Sequence, residues 1–308
     1  MLEGKVLVLT GLTGRVGGAF ASALASDNEV HGLARFTEAG QREHWESMEI
    51  TTHLCDLGSG DFSRVPPNPD FVIHVAANTA PRSPMEGLRD NAEGSGLLMH
   101  HCRRAKAFLH VSTTGVYLPN PDPLHLYRED VDVLGGGYLG HYTGSKLAGE
   151  GAVRVMARVL ELPLVICRLD VQYGISSTGG QPVARLGMIL RGEPIRLPKS
   201  KPVYHTPVSD EDLVAFIEPC LNAATRPPLT VNWGGDEAVR VETYLDYMAD
   251  LAGVRATYEY SDDVQYRSCN LDNTRRLSIT GPCQVHWKDG LKRMVEFWAP
   301  KLRAGGRG

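Results

Sequence analysis

The chain has 308 residues, is 42% hydrophobic and carries a formal net charge of −4, which supplies enough apolar material for the core of one or two domains. Charged residues make up 22% and form no basic block, so nothing in the sequence is built for nucleic acid or an anionic membrane surface. No apolar run reaches the length of a membrane span.

The first strand is predicted at Lys5 to Thr10 (KVLVLT), so near the start that no room is left for a signal peptide. A helix follows from Val16 to Ala25 and a second strand from Glu29 to Leu33. Phe71 to Ala76 reads as another strand, followed by a helix near Asn91 to Cys102 and a strand from Phe108 to Ser112. A long helix is predicted from Tyr142 to Leu160, then a strand from Leu164 to Leu169. Strands alternating with helices imply parallel pairing through crossovers, hence an α/β fold with a Rossmann-type doubly wound parallel sheet. Continuous apolar strands fit a sheet covered on both faces.

After Gly174 the pattern changes, and glycine and proline become frequent in GISSTGGQP, RGEPIRLP and KPVYHTPV. This predicts a smaller, loop-rich C-terminal substrate domain. The expected division is residues 1–172 for dinucleotide binding and 173–308 mainly for substrate, with one strand near 229–233 returning to the first sheet. Ser209 followed by Asp212 resembles a capping box with a shorter acid, opening a helix at about Glu211. The six cysteines form no C-x-x-C pair, and no histidine cluster has metal-ligand spacing. Cys55 and Cys167 read as core thiols. No metal and a reducing, cytoplasmic setting are therefore expected.

Thr10-Gly11-Leu12-Thr13-Gly14-Arg15-Val16-Gly17 joins the first strand to the first helix. Gly11 permits the tight turn, Gly14 lets backbone approach a pyrophosphate, and Gly17 lets helix and strand pack closely. The helix N-terminus offers free N–H groups and partial positive charge to the phosphates. Gly11, Thr13, Gly14, Arg15, Val16 and Gly17 are thus the expected cofactor turn. A structural turn with incidental glycines is the plainer alternative, but the flanking strand and helix favour a dinucleotide. The second strand ends His31-Gly32-Leu33-Ala34-Arg35, without the carboxylate that would bind a ribose 2′-hydroxyl. Arg35 and Arg15 suit a 2′-phosphate instead, so NADP(H) is favoured over NAD(H). Asp56 is placed to meet the adenine amino group.

Tyr142-Thr143-Gly144-Ser145-Lys146 opens the long helix, and positions four apart share a helical face. A phenol near pKa 10 is a poor base at neutral pH, and a nearby ammonium stabilises the phenolate. Tyr142 can then exchange a proton with a substrate oxygen while a nicotinamide exchanges a hydride. The strand ending at Ser112-Thr113-Thr114 brings hydroxyls to the edge where an open parallel sheet binds ligand. Thr113 is expected to hold the substrate oxygen, and Ser112 and Thr114 to make local turn bonds.

Together these segments resemble the extended short-chain dehydrogenase/reductase family, which includes the NAD-dependent epimerase/dehydratase group. The resemblance rests on T-G-x-x-G-x-x-G at Thr10 to Gly17, C-D-L at Cys55 to Leu57, H-V-A-A at His74 to Ala77 and N-A-E-G-S at Asn91 to Ser95. It continues through S-T-T-G-V-Y, Y-T-G-S-K, R-L-D-V-Q-Y-G at Arg168 to Gly174 and V-S-D-E-D-L at Val208 to Leu213. It implies that Thr113, Tyr142 and Lys146 are catalytic, with Asn91 supporting the site and a proton relay. It adds Asp56, Leu57, Ala76 and Ala77 to the cofactor contacts, with Tyr142 and Lys146 reaching the cofactor too. It also implies a homodimer packed through two helices per subunit.

Departures from the family pattern bear on the reaction. Sugar-nucleotide dehydratases carry Asp-Glu where this chain has Thr114 and Gly115, so dehydration is not expected. The deoxysugar epimerase-reductases place a cysteine at the position of Gly115. Leu169 and Val171 replace a proline and an asparagine, and the arginine that clamps a substrate diphosphate is absent, with Lys199 and Lys201 the nearest cations. The leading expectation is an NADP(H)-dependent ketone or aldehyde reductase or alcohol dehydrogenase. A nucleotide-sugar 4-epimerase with tightly bound NAD is the alternative, and a non-catalytic dinucleotide sensor the third. The loops Asn78 to Pro84, Pro119 to Gly140 and Ile175 to Val183 are expected to shape the pocket, with Arg82, His125, Tyr138 and His141 as polar candidates.

Overall fold

The computed structural model describes residues 2–135, 140–176, 180–199, 201–264 and 267–305. Tyr138 and part of two of the expected pocket loops lie outside the described residues. The chain divides into two compact units. The first comprises Met1–Leu118, Val133–Arg168 and Val214–Val231, and the second Pro119–Asp132, Leu169–Leu213 and Asn232–Gly308.

A seven-stranded sheet dominates the first unit. Its strands are β1 (Val6–Thr10), β2 (Glu29–Ala34), β3 (Thr51–Leu54), β4 (Phe71–His74), β5 (Ala107–Thr113), β6 (Leu164–Leu169) and β7 (Leu229–Trp233). Their order is β7-β6-β5-β4-β1-β2-β3. The ladders β1–β2, β2–β3, β1–β4 and β4–β5 are parallel. The order reverses at β1, so β1 and β4 leave the sheet in opposite lateral directions, and the crevice at their carboxyl ends is where such sheets take ligand. Thr10 and His74 are register partners at that edge.

The sheet is buried because its strands are apolar on both faces. Val8, Leu33, Val72, Phe108 and Ile166 pack with Leu98 and Met99 of the helix Gly94–His101 and with Val153 and Ala157 of the helix His141–Leu160. The helix preceding Gly94 is irregular: Pro84–Gly87 is one α-turn, and Leu88–Glu93 is a π-helix. The expected helix near Asn91 therefore begins earlier and is wider than an α-helix at Asn91 itself. Gly149 explains how closely the long helix docks there, since a Cβ on it would lie 2.6 Å from the Asn91 carbonyl oxygen.

The second unit has its own core, and less of it is loop than glycine and proline suggest. Helices Gln181–Leu190, Val241–Leu251 and Trp287–Arg303 bury Leu186, Leu245, Leu291 and Trp298 together. In GGQP the proline starts a helix: Pro182 occupies the first turn, where its missing N–H costs nothing. In EPIRLP, Ile195–Pro198 pairs in parallel with Tyr258–Ser261. The capping reading at Ser209 agrees with the structure: the hydroxyl accepts from the Asp212 amide at 3.0 Å, and the helix begins at Asp210.

Candidate functional site

The glycine turn lies at the end of β1 against the residues that follow β4. Gly11 has φ +78°, and a Cβ there would come within 3.0 Å of the Ala76 backbone. A Cβ on Gly17 would stand 2.1 Å from the Gly11 carbonyl oxygen. Both positions thus require glycine for close backbone approach. The helix α1 (Arg15–Leu24) starts at Gly14 with no side chain capping it. The N–H groups of Arg15, Val16 and Gly17 have no acceptor within the helix, and the helix dipole places positive charge there. Thr13 is half-buried beside this terminus. A turn shaped to admit backbone but no side chain, ending in an uncapped helix, fits a dinucleotide pyrophosphate.

Arg35 directly follows β2 and is exposed, as is Arg15. Neither has an ion-pair partner among the described residues, and the strand end carries no carboxylate. Asp56 caps a short 3-10 turn, Leu57–Ser59, accepting from the Gly58 amide at 3.1 Å. Leu57 lies partly buried against the first-unit core. Ala76 and Ala77 are half-buried beyond β4, and the Ala76 amide donates to Thr10 Oγ1 at 3.0 Å.

Thr113 ends β5, and its hydroxyl interacts with the Tyr142 phenol. It also accepts from the Gly115 amide at 3.1 Å. Burial pushes the Tyr142 phenol up to about 12, with Thr113 pulling the other way. Lys146 is 2% exposed, and its ammonium donates to the Val111 carbonyl at 2.8 Å. Burial pushes Lys146 down to about 8, opposed by Glu150 one turn further along. The sequence reading has the ammonium lowering the phenol. In the structure the Val111 carbonyl takes one N–H of the ammonium, while burial raises the phenol and Thr113 lowers it.

Asn91 is fully buried in the π-helix. Its side chain accepts from the Asn78 amide at 2.7 Å and donates to the Asn78 carbonyl at 2.9 Å and to Ser145 Oγ at 2.8 Å. Ser145 in turn donates to the Tyr142 carbonyl at 2.7 Å. Asn91 therefore acts on the helix that carries Tyr142, through Ser145.

Ser112 corrects an expectation. Its hydroxyl makes no turn bond; it donates to Glu150 Oε1 at 2.7 Å. Glu150 also receives Arg168 at 3.0 and 2.8 Å, with the two side chains 2% and 1% exposed. The Arg168 guanidinium lies over the Tyr117 ring at 4.8 Å. Glu150, Arg168 and Ser145 received no role from the sequence. Glu150 was findable, since it follows Lys146 by one turn on the same helix face.

Gly115 explains one departure from the family pattern. A Cβ there would stand 2.6 Å from Thr143 Cγ2, so a carboxylate or thiol has no room. Other polar candidates are engaged elsewhere: Arg82 pairs with Glu86, and His125 with Asp132. His141 is exposed at the start of the long helix. A cavity of about 700 Å³ lined by Arg82, Ser83, Met85, Glu86, Arg89 and Glu93 includes none of the residues around Tyr142.

Residues 7–199 match the model of the NAD dependent epimerase/dehydratase family. The chain belongs to that family. No curated protein matches the sequence significantly. Among solved structures, the chain is similar to a UDP-N-acetylglucosamine 4-epimerase from Methanobrevibacter ruminantium M1 in complex with UDP-N-acetylmuramic acid, at TM-score 0.82 and 17% identity, over 97% of this chain and 100% of the other. It is also similar to the UDP-glucuronic acid 4-epimerase from Bacillus cereus in complex with UDP-glucuronic acid and NAD (TM-score 0.80, 19% identity, 96% and 99% covered). MoeE5 in complex with UDP-glucose and NAD matches at TM-score 0.79 and 24% identity, again over 96% and 99%. At these identities the likeness establishes the α/β fold of the epimerase/dehydratase family. Among the described residues no helix is long and apolar enough to cross a membrane.

The buried pair behind Lys146 yields a stability prediction. Glu150→Gln leaves Arg168 buried without its counter-charge, which should cost about 3–5 kcal/mol. Urea denaturation should show this as a large fall in midpoint with unchanged slope. A loss under about 1 kcal/mol would mean that the pair carries no such weight.

Proposed function

We propose that the protein binds a nicotinamide dinucleotide and acts as a nucleotide-sugar 4-epimerase, with Tyr142 as acid/base. The observation that carries the chemistry is the hydroxyl pair Thr113–Tyr142 at the end of β5, with Lys146 buried one helical turn on. A bound oxidised nicotinamide would supply a hydride acceptor at the substrate carbon and the hydride donor for its return. Thr113 holds the reacting oxygen, and Tyr142 removes its proton and later returns it. Lys146 keeps positive charge beneath the tyrosine, and Asn91 fixes the first turn of the helix. The turn from Gly11 to Gly17 receives the pyrophosphate, with Ala76 and Ala77 walling the cofactor and Asp56 and Leu57 on the adenine side. The substrate class is supported by UDP-sugars bound in neighbours that match almost the whole chain.

A second reading is favoured by one set of residues. Leu169 and Val171 stand where relatives of the family carry a proline and an asparagine, and the arginine that typically clamps a diphosphate just before the V-x-D segment is absent. These favour reduction of a small or apolar ketone or aldehyde by the same half-reaction, with substrate recognition mainly in residues 173–308. For this second reading the cofactor proposal is NADP(H), carried by Arg35 and Arg15, which have no ion-pair partner among the described residues, whereas the epimerase reading goes with tightly bound NAD. Assembly is proposed as a homodimer through the helices Gly94–His101 and His141–Leu160. Leu97, Val155 and Val159 on those helices are 48%, 61% and 70% exposed.

Each element has its own measurement. Tyr142→Phe should lower turnover at least about 100-fold, the usual weight of a positioned proton donor, while dinucleotide affinity changes little. Full activity in that variant ends the mechanism. UDP-sugars incubated with the protein should interconvert at C4 without net cofactor consumption; steady NADPH oxidation with ketones would select the reductase instead. Arg35→Asp should reverse a preference for NADPH over NADH, and an unchanged ratio would remove the basis for NADP. Val155→Glu with Val159→Glu should convert a dimer to a monomer in sedimentation; a wild-type monomer would refute the assembly.

A further inference from the structure

A second group of buried polar residues lies under the site and has no part in the chemistry above. Thr10 Oγ1 accepts from the amides of Val75 and Ala76 at 3.1 and 3.0 Å. Both of its lone pairs are then used, so its proton goes to His74 Nδ1, 2.7 Å away. That fixes the tautomer: Nδ1 is the acceptor, and Nε2–H donates to Ser95 Oγ at 2.7 Å. Ser95 must then donate its own proton, and it does so to the Asn91 carbonyl at 2.7 Å. From Asn91 the side chain donates to Ser145, and Ser145 donates to the Tyr142 carbonyl. Every link donates in the same direction, from the strand residue before Gly11 to the residue proposed as acid/base.

The histidine has little freedom to reverse this chain. It is 1% exposed, and burial pushes it down to about 3, helped by the Lys146 charge. Its neighbour across the ladder, His110, lies 5.1 Å away ring to ring, also buried, and its two nitrogens have no partner among the described residues. His110 therefore does not compete for either nitrogen of His74.

We propose that His74 is a positioning residue whose two ring nitrogens tie the dinucleotide turn, through Thr10, to the helix of Tyr142, through Ser95, Asn91 and Ser145. The proposal rests on the reading of that turn and of Tyr142 given above. It makes His74 two separable links. A side chain that keeps only the Nδ1 position serves the cofactor turn alone. One that keeps only the Nε2 position serves the tyrosine helix alone.

Asparagine and glutamine supply those two cases. His74→Asn offers an amide oxygen near Nδ1 and cannot reach Ser95. His74→Gln offers an amide N–H near Nε2 and gives up the Thr10 proton. Binding of NADH and NADPH by fluorescence, and hydrogen–deuterium exchange over His141 to Lys146, read the two ends separately. His74→Gln should weaken dinucleotide binding about tenfold, equivalent to about 1.4 kcal/mol, with exchange in the helix unchanged. His74→Asn should keep that affinity and speed exchange about tenfold, the same free energy at the other end. With whichever sugar nucleotide or ketone the wild type turns over, the same split should appear as a raised cofactor KM in one variant and a lowered kcat in the other. Thr10→Val and Ser95→Ala cut the two links from their far sides and should reproduce the Gln and Asn patterns respectively, which covers a His74 variant that fails to fold. Equal effects at both ends in every variant, or none in any, would overturn the proposal. A wild type that binds no dinucleotide would instead overturn the reading of the turn.

Discussion

Lys146 carries its ammonium into the first-unit interior, and much of the surrounding structure follows from keeping it there. A buried ammonium needs a hydrogen-bond acceptor and a nearby negative charge. The Val111 carbonyl supplies the first and Glu150 the second. Glu150 is shared, since Arg168 reaches it from β6 and Ser112 donates to it from β5. Two strands and the long helix are thereby joined through one carboxylate, Glu150. The Tyr142 phenol inherits its position from that cluster, because it sits one turn earlier on the same helix. Gly149 and Asn91 set the distance between that helix and its neighbour.

The glycine turn depends on a different kind of fit. No side chain can be added at Gly11 or Gly17 without striking backbone. The space so preserved lies at the switch point of the sheet, between the carboxyl ends of β1 and β4. Thr10 and His74 face each other across that point as register partners. The turn proposed to receive the phosphates thus adjoins the end of β4 through this pair.

Much of this was legible in the sequence. The strand Leu164–Leu169 and the strand Leu229–Trp233 are read to the residue, and β1, β2, α1 and the long helix to within one or two. Continuous apolar runs and the glycine spacing carry that signal, because both are local. The C-terminal half was less legible for the opposite reason. Ile195–Pro198 becomes a strand by pairing with Tyr258–Ser261, and nothing within a local window announces the partner. In the proposed site, residue types and spacing pointed to Thr113, Tyr142 and Lys146, and the family resemblance added Asn91. They could not give the destination of the Lys146 ammonium or of the Ser112 hydroxyl. Those partners come from carbonyls and carboxylates that only tertiary packing brings near. Buried polar residues at apolar strand ends, such as Thr10 and His74, were the available hint that a network must satisfy them.

The contact between Gly115 and Thr143 has a consequence on another timescale. In related dehydratases a carboxylate occupies the place of Gly115, yet here any β-carbon at that point meets the threonine methyl. Acquiring water-eliminating chemistry would therefore take a change at 143 before, or together with, a change at 115. Taken alone, the first adds no new chemistry and the second strains the packing next to the reacting tyrosine.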